Sequence, residues 1–266
     1  MDRAAVTFGS ELRRWRQQRG LTQMALALAA EVSTRHLSWL EAGKSEPSRA
    51  MVLRLPEHLE VPLRERNALL VTAGFAPLYS TQRWDDPLLA PLREQLQALL
   101  DAHAPWPAVA VDRHWNVVAH NALLPLLLQF VAPALREPPV NMLRLSLHPQ
   151  GLAPMIEGLP RWHAHILQRL QRQIANSGDA GLVALHAELQ RYAPPVGDTS
   201  DDPAAGALAA ALVLNTPYAR LSFITTITVF GAPHDVLLSE LAIETALPAD
   251  AATAQALRAL QESFSP

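Results

Sequence analysis

Residues 20–44, GLTQMALALAAEVSTRHLSWLEAGK, leave few alternatives to a pair of short helices joined by a tight turn. Thr22 stands where its hydroxyl accepts a hydrogen bond from a free N–H of the first helical turn, and Ser33 stands likewise before the second helix. Leu26 and Ala29, with Ala27 beside them, form the inner side of the first helix; small alanines let two helices approach closely. Leu37 and Leu40 point inward from the second at i and i+3. Gly43 falls where that helix stops, since glycine tolerates the left-handed conformation of a C-cap. Thr34, Arg35, Ser38 and Trp39 remain on the outer face: one cation, two hydroxyls and an aromatic. Such a face suits base edges in a major groove.

The stretch resembles the helix-turn-helix of the phage-repressor (Cro-like) family. The carrying residues are Leu21, Thr22 and Gln23 at the first helix, Val32 and Ser33 at the turn, and Leu37, Leu40, Glu41, Gly43 and Lys44 closing the second. The resemblance implies that Gln23 touches the DNA backbone and that Thr34, Arg35, Ser38 and Trp39 face the bases. Ser33, Lys44 and Arg14 complete the expected DNA-binding set. The match departs at Glu31, where glycine is common and a positive φ costs up to ~1 kcal/mol, and at Met24, which replaces a common acidic residue.

Charge is distributed to match. The net charge is −3, yet residues 1–80 hold 11 Arg+Lys against 8 Asp+Glu, so the basic excess lies with the helix pair, where phosphate contacts need it. Upstream, Phe8, Leu12 and Trp15 form an inward helical stripe, and Arg13, Arg14, Arg16 and Arg19 fall mostly outside it, as a solvated face or as phosphate contacts. Downstream, Pro47 and Ser48 open a fourth helix bearing Met51, Val52 and Leu55, which Pro56 should kink or stop near Leu55. Pro62 opens a fifth, closed by Gly74.

The 266 residues suffice for two domains: a helix-turn-helix domain over 1–76, a connector and linking helix over 77–104, and a further domain over 105–266. In the last, 107–112 and 115–121 read as strands with a tight turn at Arg113 and His114. Helices are expected over 122–130, 159–174 and 182–192, a polar loop over 195–203, strands over 207–214, 219–230 and 236–247 with a hairpin loop at 231–235, and a closing helix over 249–264. The expected fold is therefore an all-α helix-turn-helix bundle followed by an α+β, PAS-like domain: a five-stranded antiparallel sheet with helices on one face.

Residues 107–121 (PAVAVDRHWNVVAHN), 141–152 (NMLRLSLHPQGL) and 223–250 resemble the ligand-binding domain of MmyB-like transcription regulators. This resemblance implies a one-component bacterial regulator whose N-terminal part binds double-stranded operator DNA. Its PAS-like part is thought to hold a small apolar ligand of fatty-acid type.

No enzyme is expected. GxSxG, GxxxxGK[ST], GxGxxG and HExxH are all absent, and His163 and His165 stand two apart, on different sides of a helix. The chain has no cysteine, so it forms no disulfide and no thiolate metal site. No apolar run approaches the ~20 residues of a membrane helix, and no signal-peptide pattern opens the chain; a cytoplasmic protein without a membrane partner is expected.

The space under the sheet is either packed core or a ligand cavity. Phe223, Thr225, Ile227 and Val229 share one strand face, as do Val109 and Val111, and Met142 and Trp162 lie on covering helices. Arg144, His148, His165 and Thr225 are candidates to fix a ligand head group. The expected ligand site is Val111, Met142, Arg144, Trp162, His165, Phe223, Thr225 and Ile227, with no metal and no cofactor beyond a bound fatty acid or similar apolar molecule. A homodimer is expected, because one recognition helix reads too few base pairs. The alternative is a DNA-tethered protein whose C-terminal domain only dimerises or docks a partner.

Overall fold

A computed structural model describes residues 7–192, 211–231 and 233–264. The chain divides into two compact units: the first takes residues 7–82 with 175–177 and 233–239, and the second takes the remaining described residues. The first carries α1 (Phe8–Gln18), α2 (Gln23–Ala29), α3 (Thr34–Glu41), α4 (Arg49–His58) and α5 (Leu63–Thr72). Thr7, Thr22, Ser33 and Ser48 each cap the helix that follows by accepting a backbone N–H three residues on. Gly43, at φ 67°, stops α3: its N–H reaches Leu40 O and the Lys44 N–H reaches Trp39 O, the paired bonds of a left-handed terminus. Glu31 does adopt a positive φ, 54°, between α2 and α3.

The bundle core joins Phe8, Leu12 and Trp15 to Leu26, Ala27, Ala30, Leu37, Leu40, Leu55 and Leu70. Burying each of the larger side chains stabilises the fold by about 1.5–3 kcal/mol. Ala29, expected inside, is exposed; Ala30, one turn beyond Leu26, takes that place. Gly9 lets α1 and α3 meet, since a Cβ there would sit 2.1 Å from Leu40 O. The expected break at Pro56 does not occur. The missing N–H falls in the last turn of α4, where it costs one bond, and the ring is buried.

The second unit opens with α6 (Ala90–Asp101), then β1 (Ala108–Val111), β2 (Val117–His120), α7 (Leu123–Leu128), α8 (Met142–Leu147), α9 (Leu159–Ser177) and α10 (Ala180–Gln190). The chain continues through β3 (Ala211–Asn215), β4 (Arg220–Val229), β5 (Ala242–Pro248) and α12 (Ala251–Phe264) of this unit, while α11 (Val236–Glu240), before β5, belongs to the first unit up to Ser239. The strands form one antiparallel sheet in the order β2-β1-β5-β4-β3. The expected loop over 195–203 and the first residues of the strand expected over 207–214 lie outside the described residues.

Alternation along β1 sends Val109 and Val111 into the main core with Trp162, Ile166 and Phe223, and Ala108 and Ala110 to the opposite face. There α6, expected in the connector, packs Leu96 and Leu100 against them. Helices therefore cover both faces of the sheet, not one. Residues 236–240, expected as strand, form α11, because Asp235 Oδ1 accepts the Leu238 N–H (3.3 Å) and starts a helical turn. Asn121, buried, fastens the α6–β1 loop to the end of β2: its carbonyl accepts from Ala108 and Leu123, and its amide donates to Trp106 O and Leu100 O. No described helix is long and apolar enough to cross a membrane.

Candidate DNA interface and ligand cavity

In the first unit, α3 is fixed from beneath by an ion pair. Arg16 Nε and Nη2 donate to the two carboxylate oxygens of Glu41 at 2.6 and 2.8 Å, and Nη1 donates to Leu21 O at 2.7 Å. Gln23 Nε2 adds a bond to Glu41 Oε2 at 2.9 Å. Burial works to raise the Glu41 carboxyl, but these bonds and the nearby cations hold it below the usual carboxylate range. Arg16, expected on the outer face, is thus a buried brace, and Arg19 donates to Leu59 O. Arg14 grips Glu11 and lies 4.7 Å from the centre of the Trp15 ring.

The outer face of α3 is as expected in composition. Ser33 caps the helix through the His36 N–H. Thr34 and Arg35 are exposed, Ser38 is half-buried, and Trp39 is 42% exposed. The Arg35 guanidinium lies 4.5 Å from the Trp39 ring centre, so a cation and a flat apolar surface are presented together. Lys44 is exposed just past the end of α3.

In the second unit, an apolar cavity of about 80 Å³ lies between the sheet and α7, α8 and α9. Its wall takes Val109 from β1, Leu124, Leu127 and Leu128 from α7, Met142 and Leu145 from α8, Trp162 and Ile166 from α9, and Phe223 and Thr225 from β4. That space is below the ~300 Å³ at which pockets for drug-sized ligands begin, so a long guest must part its walls.

Four of the eight residues expected at the ligand site line this cavity: Met142, Trp162, Phe223 and Thr225. The other four do not. Val111 is buried in core beyond it. Ile227 is 44% exposed and Val229 65%, because β4 runs out from under the helices after Thr225. Arg144 is spent on Glu188, with two bonds of 2.7 and 2.8 Å that hold the Glu188 carboxyl below its ordinary range. Burial, with the bond to Glu188, pushes the Tyr192 hydroxyl up to about 12. His165 stacks on Trp162 outside the cavity, and burial lowers its pKa, helped by the charges of Arg169 and Arg172. His148 packs edge-on against Tyr192.

The polar corner of the cavity is instead made by Arg169, Glu244, Ser146 and Thr225. Arg169 enters from α9 over the Trp115 ring at 4.1 Å, with Nη1 3.4 Å from Glu244 Oε1. Its Nε and Nη2 are buried without a hydrogen-bond partner among the described residues. Each such group costs about 1–3 kcal/mol. Arg169 escaped the sequence reading because 161–172 looks like a charged helix face. The available signal was its spacing, at i+7 from Trp162 and i+3 from Ile166, on the apolar stripe.

A DNA-binding helix-turn-helix joined to a ligand-binding α+β domain is the plan of a transcription regulator. Comparison with protein families bears this out: residues 7–69 match a helix-turn-helix domain, and residues 92–260 match the MmyB-like transcription regulator ligand binding domain. The chain belongs to the MmyB-like transcription regulators. No curated protein matches it.

Proposed function

We propose that the protein is a one-component bacterial regulator of Cro-like type, binding a specific operator as a homodimer, and that a fatty-acid-type ligand in the cavity changes its affinity for DNA. One observation carries the reading: the α+β unit of a chain with an outward-facing α3 encloses an apolar space with a polar corner. Arg35, Thr34, Ser38 and Trp39 read bases, while Ser33, Gln23, Lys44 and Arg14 stand nearer the backbone. Two of these have other ties, Gln23 to Glu41 and Arg14 to Glu11, and act by positioning as much as by contact. With 8 residues, α3 reads only a few base pairs, so a second copy on a half-site about 10 bp away, or a multiple, supplies the rest. Two strands, a helical insert and three further strands support the PAS-like description.

A ligand shifts DNA affinity only by as much as it distinguishes two conformations. A guest larger than about 80 Å³ does so, because it must move the cavity wall. The expected coupling is about 5–150-fold in operator affinity. The test starts with an operator selected from random DNA by the full-length, delipidated protein. Affinity is then measured with and without laurate, with sedimentation of the free and DNA-bound protein alongside. Equal affinity in both titrations, with no lipid co-purifying, would leave a DNA-binding protein whose C-terminal unit dimerises or docks. A monomer on the operator would end the dimer reading.

A further inference from the structure

We propose that the Nε–Nη2 edge of Arg169 is the head-group site for a ligand carboxylate, so that the domain selects free acids with apolar tails over their neutral esters. The inference rests on the cavity reading above and names the chemistry of its polar end. The arginines of this chain differ in how they are held. Arg16, Arg83, Arg144 and Arg220 each grip a carboxylate, and each does so through the same two nitrogens, Nε and Nη2. That edge presents two parallel N–H groups spaced for two carboxylate oxygens.

Arg169 is arranged differently. Glu244 approaches only Nη1, at 3.4 Å, and the two-donor edge has no partner among the described residues although both nitrogens are buried. The guanidinium lies 4.1 Å from the centre of the Trp115 ring, whose own Nε1 donates to Gln173 Oε1, so its position is set before any ligand arrives. The rest of the wall is apolar apart from Ser146, Thr225 and Glu244, and the Ser146 hydroxyl already accepts from Trp162 Nε1. A carboxylate at this corner lays its tail along Met142, Phe223 and Leu127. Glu244 opposes it as a like charge, which tunes affinity without closing the edge.

The experiment titrates delipidated full-length protein with laurate and with methyl laurate, which share a tail and differ in charge. Wild type should prefer the acid by roughly ten- to hundredfold. Arg169→Met should abolish the preference, Arg169→Lys, which lacks the two-donor edge, should lose most of it, and Glu244→Gln should tighten laurate binding. Equal binding of acid and ester by wild type, a measurement that needs no variant to fold, would overturn the head-group assignment and leave the cavity reading intact. So would retention of the preference in a folded Arg169→Met. Binding of neither compound would overturn both.

Discussion

Each unit sets an arginine against a glutamate, buried in the first and half-buried in the second, and the two pairs are built for different purposes. In the helical unit, Arg16 has every nitrogen engaged, and Glu41 takes a further bond from Gln23. The pair ties α1, the start of α2 and the end of α3 into one body. In the α+β unit, Arg169 has one long contact to Glu244 and two buried nitrogens unpartnered among the described residues. The first pair offsets its desolvation by saturation; the second leaves part of that cost standing. Saturation suits a frame that must present α3 in one orientation. An unsatisfied remainder suits a wall that gains by receiving something.

The comparison breaks most visibly at Glu41. Glu41→Ala leaves Arg16 buried and uncompensated and should cost about 3–5 kcal/mol, read as the unfolding free energy of the helical unit in urea. The same pair sets a pH dependence. The folded Glu41 carboxyl lies below its unfolded value of 4.5, so its contribution is fully present above that pH and lost as pH falls through the lower folded value. A wild-type acid limb no different from that of the variant would show that the brace carries no stability. A smaller effect is expected at Arg35, the exposed counterpart that also rests on a tryptophan. Arg35→Ala should weaken operator binding by about 1–3 kcal/mol and relax one base preference, in a mobility-shift titration against single-base operator variants, with stability unchanged. The smallest is expected at Arg144. It too grips a glutamate through Nε and Nη2, but its side chain is 38% exposed, so solvent screens it. Arg144→Met should change stability by less than ~1 kcal/mol and leave laurate affinity as it was, in thermal melts and calorimetry. A large loss of laurate affinity there would move the head group away from Arg169.

Much of the helical unit was legible because its signals are local. Thr22, Ser33 and Gly43 act where they stand in sequence, within three residues of the groups they satisfy. The errors came from questions with long-range answers. Arg16 and Arg14 differ by two positions and look alike in sequence; only the arrival of Glu41 from α3 makes one of them interior. Ile227 continues the alternation of Phe223 and Thr225, but alternation says which side a residue faces and not where the covering helices end. Asn121 and Asn141 lie in the stretches that resemble the MmyB-like domain, and both prove to fasten loops: Asn141 caps α8 and donates to His114 O and Asn116. Residues 236–247 were apolar enough for either helix or strand, and the Asp235 cap decided between them.

The cavity beneath the sheet also has a mechanical meaning. A space of about 80 Å³ that no side chain fills is volume that the protein holds open in an otherwise close-packed interior. Compression favours the unfolded chain, which eliminates internal voids of this kind. A guest that fills the space and parts its walls changes the volume of the domain, so the ligand-binding equilibrium responds to hydrostatic pressure. The bound and free regulators differ in how much room they take up as well as in what they touch.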